Sequence, residues 1–177
     1  MKLNIGAGDS SLEGYIKIDY DSKRKPDLCT DIRFSVLPYE DDSVEEIVMF
    51  HTIEHIEKKH HVFLLSEFNR VLRKDGYLII TFPEFSKCAK NFIENYKGMR
   101  EFWEATVFGS QVSKSDYYVC AMDSEFLRQQ LIDLGFSHIT IDSEINEKYN
   151  TILSCSKVRT ALGREDVIRE VVFDGKN

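Results

Sequence analysis

Short apolar segments, each followed by a glycine-rich or polar turn, recur along the chain and predict the strands of a sheet. The first segment, Lys2 to Ile5, stops at Gly6-Ala7-Gly8, as a buried strand that enters a tight turn does. The second, Tyr15 to Asp19, alternates apolar and polar residues and ends on an acid. The same patterns predict seven strands, at residues 2–5, 15–19, 27–30, 47–50, 77–82, 138–141 and 152–158.

Two segments carry apolar residues at helical spacing. Residues 58–73 place Val62, Leu65 and Phe68 on one face, and Lys74-Asp75-Gly76 follows as a stop signal. Residues 123–134 show a similar pattern before Gly135. Strands and helices that alternate in this way predict an α/β fold, with a mostly parallel, doubly wound seven-stranded sheet and helices on both faces.

The first two predicted strands are joined by a short connection. Only ten residues separate Gly8 from Asp19, whereas a crossover that includes a helix needs at least ~10–12 residues plus the strand itself. We therefore expect the first crossover helix to be missing. One face of these strands would then lack its usual cover, so another segment of the chain or the second subunit of a homodimer is expected to cover it.

The length of 177 residues favours one domain, residues 1–177, with one active site. Between residues 84 and 122 the chain is rich in aromatic residues and has weak helical periodicity. This stretch is interpreted as an insertion over one edge of the sheet. Residues 160–177 form a charged tail without a clear assignment.

Composition narrows the possible partners. The net charge is −7 and the basic residues are interleaved with acids, which disfavours a nucleic-acid partner. No apolar run approaches the ~20 residues of a membrane span, and the first residues show no signal-peptide pattern, so we expect a cytoplasmic location without membrane association. The four cysteines are far apart and form no Cys-x-x-Cys pair, which predicts reduced thiols rather than a zinc or redox motif.

Glycines and polar residues stand where four of the predicted strands end, the edge at which a doubly wound sheet binds its ligands. Gly6-Ala7-Gly8 would let a ligand approach the backbone, and Asp19 could accept hydrogen bonds from both hydroxyls of a ribose. Asp31 could accept from an adenine amino group, and His51 follows the fourth strand. Each feature alone is common in ordinary turns, but their order and spacing together favour a nucleotide-type site.

Four segments of the chain resemble the class I methyltransferases, Rossmann-like enzymes that use S-adenosylmethionine, and more closely their small type-11 group. The segments are Leu3-Asn4-Ile5-Gly6-Ala7-Gly8, Gly14-Tyr15-Ile16-Lys17-Ile18-Asp19, Leu37-Pro38-Tyr39 through Ile53-Glu54-His55, and Arg70-Val71-Leu72-Arg73-Lys74-Asp75-Gly76. The resemblance runs from Lys2 to Pro83 and resumes weakly at Phe126 to Phe136. It implies a Rossmann-like fold, methyltransferase activity and S-adenosylmethionine as the cofactor.

The resemblance also implies that the donor is bound at the strand ends, by Asn4, Gly6, Ala7, Gly8, Asp19, Tyr20, Asp31, Ile32, Phe50 and His51. The glycines would back its methionine part, Asp19 its ribose, and Asp31 its adenine, while His51 would flank the sulfonium. Carboxylates suit a donor that carries a positive sulfur and an ammonium group, because they offset the cost of desolvating both charges. Asn4 is a departure, since the group usually has an acid at this place.

We expect the methyl acceptor to be a small molecule or a sugar, bound in a pocket that the 84–122 insertion roofs as a lid. Trp103, Tyr117 and Tyr118 of this insertion, together with His55, are candidates for contacting the acceptor. Aromatic residues in an insertion more often form a small core of their own, and this alternative stays open.

The segment His51-Thr52-Ile53-Glu54-His55 carries the candidate catalytic groups. An unperturbed imidazole has a pKa near ~6.5, so His51 is expected to act as the base, with Glu54 or His55 orienting the ring or the substrate. The segment is also a literal His-x-x-Glu-His zinc signature. No metal is predicted, because the segment follows a buried strand instead of lying inside a long helix and no third ligand is evident.

Several alternatives stay open. His55 could instead cap or pack at a helix start, His60 and His61 are expected to be exposed, and Asp41-Asp42 is interpreted as a turn. A different function is also compatible with Asn4 and the short first connection. The chain would then be a methyltransferase-like partner subunit that binds the donor or its product without catalysis.

Overall fold

The computed structural model describes residues 1–95, 100–142 and 150–157. Its strands are β1 (Lys2–Ile5), β2 (Tyr15–Asp19), β3 (Leu28–Cys29), β4 (Val44–Phe50), β5 (Leu72–Pro83), β6 (Ser137–Asp142) and β7 (Asn150–Ser156). Its helices are α1 (Lys58–Val71), α2 (Phe85–Asn95), α3 (Arg100–Phe108) and α4 (Ser124–Asp133). Short 3-10 turns lie at Ser22–Arg24, Ile53–His55 and Lys114–Asp116. The predicted tail, residues 160–177, lies outside the described residues.

The seven strands form one sheet in the order β3-β2-β1-β4-β5-β7-β6. The first five strands of this order run parallel, and β7 lies antiparallel between β5 and β6. The mostly parallel α/β architecture predicted from the sequence is therefore confirmed. No helix lies between β1 and β2, whose connecting residues are all described, which confirms the predicted loss of the first crossover helix.

The larger core cluster lies on one face of the sheet. Alternate residues of the central strands, such as Ile47 of β4 and Leu78 of β5, belong to it and are fully buried. Helices α1 and α4 contribute apolar residues such as Phe68 and Leu131 to the same cluster. Every second residue of the central strands therefore packs against the apolar faces of α1 and α4.

The opposite face is buried at its centre, although the first crossover helix is missing. Val48, Ile79 and Ile152 form a second cluster, against which Leu12 and Tyr15 pack from the β1–β2 connection. That connection therefore takes over part of the role of the missing helix. A homodimer that covers this face stays a prediction, but the burial of Val48 and Ile79 lessens the need for one.

The end of α1 differs from the sequence expectation. The helix ends at Val71, and Leu72 already pairs with Val44 as the first residue of β5. The left-handed conformation falls on Asp75, with φ 64°, rather than on Gly76. Gly76 is required for space instead, because an added Cβ would lie only 2.9 Å from the Arg73 carbonyl oxygen.

The prediction that His60 and His61 are exposed is wrong. His61 is fully buried, because it shares the inner face of α1 with Leu64 and Leu65, and its Nε2 lies 2.9 Å from the Ile56 carbonyl oxygen. The His60 side chain is only 15% exposed and packs edge-on against Phe34, with ring centroids 4.7 Å apart.

The Asp41-Asp42 pair lies in a turn, as interpreted, and Asp42 has a positive φ of 57°. Asp41 also accepts from Arg70 at 2.6 Å and Asp42 from Lys157 at 2.6 Å, so both carboxylates are ion-paired. Among the helices of the described segments, none has the length and apolar character needed to cross a membrane.

Candidate functional site

A cavity of about 400 Å³ opens at the carboxyl ends of β1 and β4. These strands are neighbours, but the chain proceeds from them toward opposite edges of the sheet. Such a switch point leaves a crevice between the two outgoing connections, and ligands of open α/β sheets bind there. The volume lies within the range of small-molecule sites.

The glycines after β1 shape one wall. Gly6 has φ 64°, and a side chain at this position would overlap the side chain of Thr52, which follows β4. Gly8 has φ 55°, but an added Cβ would meet nothing within 4 Å because it would point into open space. Gly6 therefore lets the two strand ends approach, and Gly8 leaves room beside them.

Asp19, the last residue of β2, is tied to the glycine loop. The residue is 7% exposed, and its carboxylate accepts from the backbone N–H of Gly8 at 2.8 Å and from that of Asp21 at 2.9 Å, one bond to each oxygen. A carboxylate oxygen can accept more than one hydrogen bond. Asp19 can therefore accept hydrogen bonds from two hydroxyl groups of a ligand in the cavity while it keeps its bond to the glycine loop.

Asp31 faces the cavity as part of an ion pair. Both of its oxygens accept from the guanidinium of Arg33, the shortest contact being 2.6 Å from Nη2 to Oδ2. These hydrogen bonds hold the pKa of Asp31 below its usual value and raise that of Arg33. Ile32 between them is 9% exposed and supplies an apolar surface to the same end of the cavity.

The wall of the cavity is acidic on balance. Four carboxylates line it, those of Asp19, Asp21, Asp31 and Asp116, against two guanidinium groups, those of Arg24 and Arg33. Both guanidinium groups are already paired, Arg24 with Asp9 and Arg33 with Asp31. A ligand that carries positive charge is therefore favoured over an anionic one.

His51 follows β4 in a left-handed conformation, with φ 44°. Its backbone N–H donates to the Thr81 carbonyl oxygen at 3.0 Å, which keeps the residue next to β5. The imidazole Nδ1 lies 3.4 Å from Oε1 of Glu54. Glu54 is 1% exposed, and neither of its carboxylate oxygens accepts a hydrogen bond from the residues that the structure describes.

His55 is held by the insertion. Its Nδ1 lies 2.9 Å from the carbonyl oxygen of Tyr117, and its ring meets that of Tyr118 edge-on with centroids 5.0 Å apart. The backbone N–H of Val119 also donates to the Glu54 carbonyl oxygen at 2.9 Å. Residues 115–119, the roof segment, are thus fastened to the 53–55 turn and close one side of the cavity.

Cys120 adds a further contact between the insertion and this turn. Its thiol lies 3.4 Å from the Ile56 carbonyl oxygen, and burial raises the pKa of the thiol to about 11. Cys120 is therefore a weak hydrogen-bond donor in the packing of the insertion, with little thiolate character at neutral pH.

The His-x-x-Glu-His segment is not helical throughout. Only Ile53–His55 form a 3-10 turn, and His51 precedes it in a left-handed conformation. The two histidines thus do not share a helix face, as the zinc signature would require. In residues 1–95, 100–142 and 150–157, no three potential ligands are grouped so that they could hold a metal ion.

The structure brings together seven of the ten residues expected to contact a donor. The cavity is lined by Gly6, Gly8, Asp19, Tyr20, Asp31, Ile32 and His51. Asn4, Ala7 and Phe50 do not line it. Phe50 packs toward the second cluster instead, because side chains alternate along β4, while Asn4 is 2% exposed within β1.

Of the residues expected to contact an acceptor, His55 and Tyr117 line the cavity, and Tyr118 contacts His55. Trp103 lies in α3. Several other residues that line the cavity are not predicted by any sequence pattern, notably Thr52, Arg24, Arg33 and the remainder of the roof segment. Thr52 and Arg33 lie next to predicted residues in sequence, whereas no motif marks the roof segment.

Residues 13–80 match the type-11 family, described as a methyltransferase domain. The match and the fold confirm the resemblance to this group. No curated protein matches the chain significantly.

Solved structures with a similar fold include several described as methyltransferases. A SAM-dependent methyltransferase from Archaeoglobus fulgidus superposes with a TM-score of 0.62 at 14% identity, over 88% of this chain and 85% of the other. One from Methanosarcina mazei gives a TM-score of 0.60 at 17% identity, over 90% and 92% of the two chains. A possible histamine N-methyltransferase from Thermotoga maritima gives 0.58 at 15% identity, over 88% and 81%. At these identities the likeness shows the fold alone, a Rossmann-like α/β fold that these structures share.

Proposed function

We propose that this chain transfers a methyl group from S-adenosylmethionine to a small-molecule or sugar acceptor. The observation that carries the proposal is the Asp19 carboxylate, which holds the glycine loop and lines the cavity at the switch point of the sheet. The match of residues 13–80 to a methyltransferase domain supports the same activity.

The cavity fits this donor in shape and charge. The absence of a side chain at Gly8 leaves space beside the loop for the methionine part, and Asp19 would accept hydrogen bonds from the ribose hydroxyls. Ile32 and the Asp31–Arg33 pair would border the adenine. The excess of carboxylates in the wall favours the positive charges of the sulfonium and ammonium groups.

When bound, S-adenosylmethionine supplies a methyl group on a positively charged sulfur. The protein contributes positioning and exclusion of water, for which the roof segment and its bonds to the 53–55 turn are suited. His51 and His55 line the cavity and can take a proton from an acceptor that must lose one. Glu54, behind His51, would orient it, and the 84–122 insertion would act as the lid.

The free cysteines and the charge of the cavity wall favour a particular compartment and class of acceptor. All four cysteines are free thiols, which fits a reducing compartment such as the cytoplasm. An acceptor with several phosphates, including a nucleic acid, is disfavoured because the cavity wall has more carboxylates than guanidinium groups.

Calorimetry with S-adenosylmethionine and S-adenosylhomocysteine tests the proposal, beside a radiolabelled methyl-transfer assay on a panel of amines, hydroxyl compounds and sugars. We expect both ligands to bind and at least one acceptor to be methylated. Absence of binding by either ligand would refute the proposal. Binding without any transfer would favour the non-catalytic partner subunit, a role with which Asn4 at the usual position of an acid is compatible.

A further inference from the structure

Two histidines line the same cavity, and each directs its Nδ1 at a different kind of acceptor. For His55 the acceptor is the Tyr117 carbonyl oxygen, and for His51 it is the buried carboxylate of Glu54. We propose that His55, rather than His51, is the general base of the reaction, with the Tyr117 carbonyl holding its ring in the reactive tautomer. The inference rests on the proposed methyl transfer and assigns the proton acceptor within that site.

The tautomer of His55 follows from the chemistry of its partner. A carbonyl oxygen can only accept a hydrogen bond, so at 2.9 Å the Nδ1 of His55 must be the donor and must carry a proton. Neutral imidazole has one N–H, and the lone pair therefore lies on Nε2. Within the described part of the chain, no residue is hydrogen-bonded to this Nε2. Nε2 is thus a base fixed in orientation by a bond on the other side of the ring.

The contact of His51 with Glu54 differs from this arrangement. The Nδ1 of His51 lies 3.4 Å from Oε1 of Glu54, and neither oxygen of that carboxylate accepts a hydrogen bond from the described residues. The contact with Glu54 therefore does not fix the tautomer of His51, whereas the Tyr117 carbonyl oxygen fixes that of His55.

The step balances without a further reactant. The acceptor N–H or O–H gives its proton to His55 Nε2 while its electron pair forms the bond to the methyl carbon. The electrons of the sulfur–methyl bond remain on sulfur, which becomes the neutral sulfide of S-adenosylhomocysteine. The His55 imidazolium then returns its proton to solvent.

The tautomer can be tested without any acceptor. Two-bond ¹H–¹⁵N correlation spectra of the protein, recorded where the imidazoles are neutral, distinguish a proton on Nδ1 from one on Nε2. We expect the Nδ1–H form for His55, with the signal assigned by its loss in His55→Asn. His61 is an internal reference for the opposite form, because its Nε2 is bonded to the Ile56 carbonyl oxygen. A proton on Nε2 of His55 would overturn the inference.

A matched pair of variants tests the role in turnover. In His55→Asn the side-chain amide can still donate to the Tyr117 carbonyl from near the Nδ1 position, but nothing replaces the lone pair of Nε2. We expect S-adenosylhomocysteine to bind unchanged and kcat to fall by about 100-fold or more, as removal of a general base does. His55→Gln, which loses the bond to Tyr117, should be impaired at least as strongly. Turnover that survives in His55→Asn would show that His55 only fastens the roof segment.

The two proposals fail in distinguishable ways. The variants are assayed with an acceptor that the wild type methylates, so a protein that binds neither S-adenosylmethionine nor S-adenosylhomocysteine contradicts the proposed function before this comparison begins. Binding and turnover that do not depend on Nε2 of His55 contradict the base assignment alone. The NMR result bears on the base assignment in either case.

Discussion

The Asp19 side chain both holds the backbone of the glycine loop and lines the cavity. Its two oxygens accept from the N–H groups of Gly8 and Asp21, and the same carboxylate faces the cavity. We expect Asp19→Ala to lower affinity for S-adenosylhomocysteine by about 10- to 100-fold, the value of one or two charge-assisted hydrogen bonds, as measured by calorimetry. Asp19→Asn should lose less, because it keeps one acceptor oxygen.

The hydrogen bonds from Gly8 and Asp21 also determine how Asp19→Ala should affect folding stability. Sequence alone predicts little cost, but the bond to Gly8 N–H means that Asp19→Ala should also lower the free energy of unfolding, by roughly 1–2 kcal/mol. Asp41→Ala is the control, because Asp41 is 72% exposed and lies outside the cavity. An unchanged dissociation constant in folded Asp19→Ala would contradict the ribose assignment.

His51 carries backbone strain that a pair of substitutions can expose. At φ 44° a residue with a Cβ pays a steric cost that glycine does not. His51→Gly is therefore expected to be more stable than His51→Ala by roughly 0.5–1 kcal/mol, the reverse of the order in an ordinary strand or helix. Urea unfolding of both variants measures the difference. A more stable alanine variant would show that position 51 does not adopt the left-handed conformation in solution.

At the scale of elements, the approach of β1 and β4 depends on Gly6. A Cβ at Gly6 would overlap the Thr52 side chain, whereas one at Gly8 would meet open space, although both residues have positive φ. We expect Gly6→Ala to cost about 2–4 kcal/mol from strain and overlap combined, and Gly8→Ala only about 1. Thermal or urea unfolding gives both values.

Thr52→Ala tests whether this overlap is the cause. The substitution removes the hydroxyl and methyl groups that would meet the new Cβ, leaving the Thr52 Cβ at 2.9 Å. The double variant Gly6→Ala/Thr52→Ala should therefore recover about 1–2 kcal/mol relative to the sum of the single effects. Strict additivity would mean that Gly6 is required for its backbone conformation only.

The elements that the sequence predicts best are those whose signals are local. The bounds of β1 and β2 agree with the prediction, since Gly6 and Asp19 mark their ends. The last turn of α1 does not, because Leu72 pairs with Val44 of a distant segment and this tertiary pairing outweighs the glycine stop signal at Gly76. The sequence also predicts an exposed His61, because nothing local shows that tertiary packing buries this polar residue.

For the molecule as a whole, the sequence predicts the strand-end side of the cavity but not the roof segment on its other side. The donor side consists of strand ends, and the order of the strands alone brings Gly8, Asp19 and His51 together. The roof depends on contacts between Tyr117 and His55, 62 residues apart in sequence, for which no periodicity or turn signal exists. Phe50 does not line the cavity, because side chains alternate along β4 and Phe50 shares the face of Val48.

The burial of His61 makes the stability of the whole molecule depend on pH near neutrality. Burial lowers the pKa of this imidazole below its ordinary value of 6.5, so the unfolded chain binds a proton more readily than the folded one as the pH falls through 6.5. Folding stability should therefore decrease below this pH, by at most about 1.4 kcal/mol per pH unit for a single group.

A variant that cannot titrate isolates this effect. His61→Gln keeps an N–H donor for the Ile56 carbonyl oxygen, so the wild type should lose about 1 kcal/mol more than the variant between about pH 7.5 and 5.5, with a ceiling of about 1.4 kcal/mol for a single group. Glu67 does not interfere in this range. Its hydrogen bonds from Arg70 lower its pKa below 4.5, and the stability that it contributes is lost only in more acidic solution. Urea unfolding curves that shift in parallel for both proteins across this range would show that His61 is not held neutral in the fold.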